Sequence, residues 1–226
     1  MHRHLVLSLS LFTLTLFWSC TASAAEFIDV SSLLSDGYDV NNPGSMRISG
    51  DGSTLIGERS RPDVSDASHE VFRWSEADGE VGLGALPDLR GDRLYGRPAD
   101  ISFDGSVIVG SSSVNYGTGW HADAFRWSEA EGMMAMGPVL DVGNARYWSS
   151  AARAVSADGS TVVGHVRSGA DSSAHAEPFR WTEAEGGISL GMLPGFADCA
   201  AVAVSADGSK VAGHCWSDSA REAFLW

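Results

Sequence analysis

The chain has 226 residues, with 29 Asp and Glu against 15 Lys and Arg, a formal net charge of −14 at pH 7. So acidic a composition argues against nucleic acid and anionic membrane as partners, since both are held by clustered Lys or Arg. The length suits a single β-rich domain with a substantial core and does not require two.

In chain order, Arg3 lies between two histidines, a 14-residue apolar run extends from Leu5 to Trp18, and Ala22-Ser23-Ala24 then offers a small-x-small cleavage site. That is the layout of a secretory signal peptide. Residues 1–24 are expected to be removed near Ala24 or Ala25, placing the mature chain outside the cell or in the periplasm. The run is shorter than the roughly 20 residues a membrane helix needs, no later stretch is long enough, and no membrane insertion is expected. A lipid-anchored alternative would use Cys20, but Phe17-Trp18-Ser19 makes a bulky approach to such a site.

The remainder, 25–226, repeats itself. Asp-Gly-Ser occurs at Asp51, Asp104, Asp158 and Asp207, each aspartate followed six residues later by Gly57, Gly110, Gly164 or Gly213. Phe-Arg-Trp follows at Phe72, Phe125 and Phe179, and Phe224-Leu225-Trp226 stands in its place in the last copy. Behind the three complete copies come Leu83-Gly84, Met136-Gly137 and Leu190-Gly191. Fixed-period similarity of this kind is the signature of a repeat architecture. The copies run approximately 40–90, 91–143, 144–195 and 196–226, the last completed by 26–34.

Each copy reads as four short strands, typified by Ala154-Val155-Ser156, Thr161 to Gly164, Pro178 to Trp181 and Gly187 to Leu190. Asp-Gly between β-branched runs is a hairpin signal because glycine accepts positive φ. Ser75 to Gly79, Ser128 to Gly132 and Thr182 to Gly186 close the third and fourth strands. In the third strand Phe and Trp share one face and Arg takes the other, the alternation of a half-buried strand.

The pattern A-x-A-V-S-A-D-G-S-x-V-V-G, then F-R-W-T-E-A-x-G, then L-G-x-L-P-G, best seen from Ala152 to Gly195, resembles the HAF-type extracellular repeat family of bacterial secreted and autotransporter proteins. One departure is that Glu70, Asp123, Glu177 and Glu222 stand where the family has His before Ala-Phe. The resemblance implies an extracellular repeat protein and supplies no catalytic residue.

Four-stranded tandem units suggest the blades of a small β-propeller-like ring. The chain ends on a third strand at Trp226, and Phe27-Ile28-Asp29-Val30 precedes the first copy, so an N-terminal strand could complete the last blade and leave no open edge. The alternative is an open or stacked β-repeat array. In the ring the N-terminal strand is expected outermost and the Ala-Val-Ser strand innermost. With Ala206-Asp207-Gly208 as a three-residue loop, Cys199 faces Cys215 across the first hairpin of the fourth copy, and a disulfide is expected in an oxidising compartment. The other reading of these cysteines is a metal site with His214.

The short turns lie at one end of every copy and the long, variable connections at the other. Loops on a rigid scaffold concentrate binding residues, and these connections carry Tyr95, Tyr116, Trp120, His121, Tyr147, Trp148 and Trp216, an aromatic face suited to a glycan or protein. The bland alternative is that these rings pack loops against strands. The acids preceding each Phe would form a carboxylate ring if the copies close, or pair with arginines. His69, His121 and His175 read as inherited repeat sequence. No catalytic residue, cofactor or metal site is assigned: there is no Gly-x-Ser-x-Gly elbow, no phosphate-cradling loop and no EF-hand acid pattern. The expectation is a secreted, non-catalytic binding protein. A glycan hydrolase using unique acids such as Asp63, Asp66 or Asp171, and a structural segment of an envelope assembly, are the alternatives.

Overall fold

The computed structural model describes residues 29–34, 40, 42–61, 68–86, 95–115, 120–136, 140, 147–169 and 175–226. The expected signal peptide lies outside them. The fold is all-β; among the described residues two short 3-10 turns, Val30–Leu33 and Pro43–Ser45, accompany the strands.

The first unit comprises β1 (Arg47–Ile48), β2 (Thr54–Ser60), β3 (His69–Ser75) and β4 (Gly79–Gly84). The second comprises β5 (Gly96–Ile101), β6 (Val107–Asn115), β7 (Trp120–Ser128) and β8 (Gly132–Ala135). The third comprises β9 (Tyr147–Val155), β10 (Thr161–Ser168), β11 (His175–Thr182) and β12 (Gly186–Ser189), and the fourth β13 (Asp198–Val204), β14 (Val211–Trp216) and β15 (Arg221–Leu225). Within every unit consecutive strands pair antiparallel. The second and third units join into one sheet through a single parallel pair, Ala122 opposite Ser149. A similar isolated bridge, His69 to Tyr95, links the first unit to the second.

The Asp-Gly-Ser turns are built alike. In the third unit Asp158 Oδ1 accepts from the Ser156 hydroxyl at 2.6 Å, the Ser160 hydroxyl at 2.8 Å and the Ser160 N–H at 3.0 Å. Ser156 Oγ in turn accepts the Thr161 N–H at 2.9 Å. The same four bonds recur around Asp51, Asp104 and Asp207. Hydrogen bonding to the ionised form lowers a carboxyl pKa, and all four aspartates are lowered. Asp207 reaches about 2, with the Ser205 hydroxyl as the largest cause.

The turns also stack. Gly105 has φ +74°, and a Cβ there would lie 2.6 Å from Thr54 Oγ1 of the preceding unit. Gly159 abuts Val107 and Gly208 abuts Thr161 in the same manner. Each glycine is therefore demanded twice, by positive φ and by the neighbouring unit. Backbone bonds tie the row together: Asp51 N–H to Phe103 O, Phe103 N–H to Ala157 O and Ala157 N–H to Ala206 O, at 2.9 to 3.0 Å.

Further along each second strand, the glycine faces the phenylalanine of the third: Gly57 with Phe72, Gly110 with Phe125, Gly164 with Phe179 and Gly213 with Phe224. Phe72, Phe125 and Phe179 are completely buried. On the other side of Gly110, Gly164 and Gly213, a Cβ would strike a first-strand carbonyl, that of Arg97, Ala151 or Ala200. There the first strand bulges, leaving Ala99, Arg153 and Val202 as the extra residues.

The bulge alters the expected hairpin. Val204 pairs with Val211, and the Ser205 N–H reaches Lys210 O, so the loop is one residue longer than the three-residue turn read from sequence. Val202 offsets that residue, and Cys199 still lands opposite Cys215 in a disulfide.

The core lies between successive units. Ile56, Val71, Leu86, Ile101, Ile108 and Phe125 belong to the cluster between the first and second. Val107, Val109, Ala152, Val162 and Phe179 belong to that between the second and third. The junction of third and fourth is smaller, with Ala154, Val163, Ala201 and Val211.

The segment expected to complete the fourth unit departs from its reading. Val30–Leu33 is a 3-10 turn, because the Ser32 N–H and hydroxyl both bond back to Asp29 O at 3.0 and 2.6 Å. Phe27 and Ile28 lie outside the described residues. Among those residues the fourth unit has three strands.

Deleting a buried phenylalanine removes apolar burial and leaves a cavity. Phe125→Ala should therefore cost about 3–5 kcal/mol in urea unfolding. Phe224→Ala should cost clearly less, since Phe224 is only partly buried; equal losses would contradict packing between successive units as the source of stability. Replacing both cysteines by alanine opens a link across 16 residues and should lower stability by about 3 kcal/mol. Hydrogen exchange should then report the earliest opening in β13–β15.

Candidate functional site

The register gathers most of the sequence-predicted aromatics at the end of the units opposite the Asp-Gly-Ser turns. Asn115 pairs with Trp120, Val114 with His121, Ser168 with Tyr147, and Asp198 with Trp216. Trp148 follows Tyr147 along β9. Tyr95 directly precedes β5, with its ring 5.0 Å from that of His69 in an edge-on arrangement. Tyr116, Asp63, Asp66 and Asp171 lie outside the described residues.

The four acids that precede each phenylalanine lie on the third strands. Glu70 is buried and takes Arg59 at 2.6 Å and Arg61 at 3.1 Å, both from its own unit. Glu177 accepts from the Ser189 hydroxyl. Asp123 is buried and Glu222 exposed. On the same strands, the arginines of Phe-Arg-Trp each meet an acid of the following turn: Arg73 with Asp78, Arg126 with Glu131, Arg180 with Glu185, at 2.7 to 3.0 Å.

A different constellation emerges from the first and second strands. All four units contribute to one cavity of about 740 Å³. The residue after each second-strand glycine lines it: Glu58, Ser111, His165 and His214. So do the three bulge residues, Ala99, Arg153 and Val202, consistent with the tendency of bulges to re-aim a side chain. Arg47, Arg97, Arg167 and Trp216 complete its charged and aromatic lining, and none of the four third-strand acids reaches it. Of the first-strand alanines, Ala99, Ala152 and Ala200 line it.

This lining is basic in an acidic protein. It carries four arginines and two histidines against one carboxylate, Glu58. Glu58 is 1% exposed, and its Oε2 is 3.8 Å from His69 Nε2 and 3.9 Å from Arg97 Nε. Arg47 donates to the carbonyls of Gly44 at 3.2 Å and Met46 at 2.8 Å. His165 Nδ1 is buried with no hydrogen-bond partner. Burial first, then the charges of Arg153, Arg167 and His214, push the His165 pKa down to about 4, so its ring is neutral at pH 7. The His214 and Trp216 rings lie 5.4 Å apart.

Sequence reasoning considered His214 only as a metal ligand beside the cysteines, and it did not connect the cavity residues. They are separated by whole repeats, and three of them enter through bulges. The available signal was the position after the second-strand glycine, which reads Glu, Ser, His, His from copy to copy. Among the described residues no group of three or more His, Cys, Asp or Glu is placed to hold a metal ion.

No family model matches the chain, and no curated protein matches it. Among solved structures it is similar to prolyl oligopeptidase B from Galerina marginata, with a TM-score of 0.44 and 11% identity over 80% of this chain and 26% of that one. It is also similar to the Pyrococcus horikoshii acylaminoacyl peptidase, with a TM-score of 0.36 and 12% identity over 76% of this chain and 30% of that one. The chain spans less than a third of the length of either protein.

The histidine has a consequence for stability. An unfolded His titrates near 6.5 and the folded His165 near 4, so between those values the unfolded chain binds more protons. Stability should fall as pH drops from about 6.5 to 4, by about 1–3 kcal/mol from this group. His165→Gln should remove that part of the slope in urea titrations at pH 7.5 and pH 5. An unchanged slope would mean that His165 is not held neutral.

Proposed function

We propose that the mature chain is a secreted or periplasmic repeat protein of the HAF type, without catalytic activity, that binds an extracellular glycan or protein through its long-connection end. The reading rests on the contrast between the two ends of each unit. At one end the Asp-Gly-Ser turn repeats with the same bonds four times, which is what a scaffold requires. At the other, the connections differ from copy to copy, and Tyr95, Trp120, His121, Tyr147, Trp148 and Trp216 stand at or beside the strand ends that border them. Aromatic side chains offer large contact area with few rotatable bonds, which suits recognition of sugar faces or apolar peptide groups.

For the architecture we propose a small propeller-like ring. Supporting it are the cavity to which every unit contributes first- and second-strand residues, and the stepwise backbone bonds from turn to turn. Either a closed or a gapped ring presents the long connections on one face.

A glycan hydrolase is the weaker reading. Retaining and inverting mechanisms both ordinarily need two carboxyl groups flanking the scissile bond. The shared cavity presents Glu58 alone among its described lining residues, and that carboxylate is engaged by Arg97 and His69.

The test is incubation of the folded mature protein with a panel of polysaccharides and envelope fractions, scoring both retention and released products by mass spectrometry. Retention without products is expected, with Trp120→Ala and His121→Ala weakening it at least fivefold. Released oligosaccharides would overturn the non-catalytic reading, and retention unaffected by both variants would remove the binding function from that end.

A further inference from the structure

We propose that the cavity shared by the four units is a binding site for an acidic oligosaccharide, one whose sugar rings carry carboxylates. This does not rest on the long-connection reading: apart from Trp216, which both use, the residues that carry it are first- and second-strand residues outside that face.

The first argument is charge balance. Five arginines elsewhere in the fold meet acids: Arg59 and Arg61 meet Glu70, and Arg73, Arg126 and Arg180 meet the acids of their turns. The cavity gathers four arginines although acids outnumber bases almost two to one in the chain. Arg47, Arg97, Arg153 and Arg167 all line it; among its described lining residues Glu58 is the one carboxylate, and Asp100, outside the lining, also acts on Arg47. Arg47 makes its hydrogen bonds to carbonyls rather than to an acid. Arg153 is exposed, sits on the bulge, and has no hydrogen bond or ion pair among the described residues. Concentrating like charge in one concave space costs free energy unless an anion answers it, and a concave site of one sign also draws in the opposite charge. Arginine forks match carboxylates in geometry as well as charge.

The second argument distinguishes a sugar from a bare anion. His165 brings a neutral ring whose buried Nδ1 lacks a partner, and a ligand hydroxyl would satisfy it. Ser111 offers a further hydroxyl, and Trp216 a ring for the apolar face of a pyranose. A volume of about 740 Å³ falls within the range of small-molecule sites and far exceeds the space one inorganic anion fills. Carboxylate, hydroxyls and an apolar ring face together describe a uronic acid. An acidic peptide would satisfy the arginines but has no ring face for Trp216.

Calorimetry on the folded mature protein tests this with three probes: tri-galacturonate, its methyl ester and triglutamate. The free acid should bind, with affinity falling at higher salt, and the ester and the peptide should each be at least tenfold weaker. Arg153→Gln and Arg47→Gln should each weaken the free acid at least fivefold. Arg180→Gln, which removes the same charge from a third strand, should leave binding within twofold. Equal binding of acid and ester would overturn the role of the arginines, and triglutamate binding as tightly would overturn the sugar. Loss of affinity in Arg180→Gln equal to that in Arg153→Gln would show net charge rather than the cavity to be responsible. Failure of all three probes to bind would remove the site, while retention of neutral polysaccharides in the panel experiment would still support the long-connection face.

Discussion

One carboxylate oxygen organises each unit. The Oδ1 of Asp51, Asp104, Asp158 or Asp207 gathers two serine hydroxyls and a backbone N–H, and the first of those serines returns a bond to the start of the second strand. Charge-assisted bonds are stronger than neutral ones, so the turn is fixed even where it is open to water. A fixed turn fixes the register of the hairpin. Register then places each glycine over its phenylalanine and the bulge beside it, and the bulge sends Arg153 and its equivalents into the shared cavity. The serine after Asp-Gly is thus a structural ligand of the aspartate and is committed to that bond.

The packing explains why the repeated letters are those and no others. Glycine in the turn must accept positive φ and also leave room for Thr54, Val107 or Thr161 of the preceding unit. Gly110 and Gly213 in the second strands lie between a phenylalanine ring and a first-strand carbonyl. Phe125 and Phe179 fill the space between successive units, and Arg73 of the first unit extends over the Trp127 ring of the second, 5.6 Å from its centroid. The fourth unit has a neighbour on one side only among the described contacts, and its Leu225 and Trp226 are exposed. It is also the unit with the disulfide, which restrains the strands that packing restrains least.

Much of the fold was legible because the constraints are local. Asp-Gly-Ser, Phe-Arg-Trp and their spacing identify four units, their strands and the end at which the long connections lie. What sequence could not supply were the bulges. The three-residue turn and the unbulged strand are each one residue in error in opposite senses, so Cys199 meets Cys215 for a reason other than the one inferred. The strands also run further into the connections than their β-branched cores suggest: β9 begins at Tyr147 and β10 continues to Ser168. Polar residues hide those extensions: Ser150 is buried but accepts the Ala124 N–H, and Arg167 lines the cavity. The cavity itself was illegible for a related reason, because its residues vary between copies where repetition directs attention to what stays the same.

The distribution of charge follows from that variation. Repeated acids serve the turns and repeated arginines serve the acids, so repetition alone produces local neutrality with a negative remainder on the outside. The position after the second-strand glycine and the bulge position are released from those duties. In the first unit the former holds Glu58, in the third and fourth histidine, while the bulge holds alanine, arginine or valine. A cavity assembled from these two freed positions is asymmetric although the frame around it is repeated. Asymmetry is what recognition of a ligand without fourfold symmetry requires, and it arises here without disturbing the turn carboxylate on which the register depends.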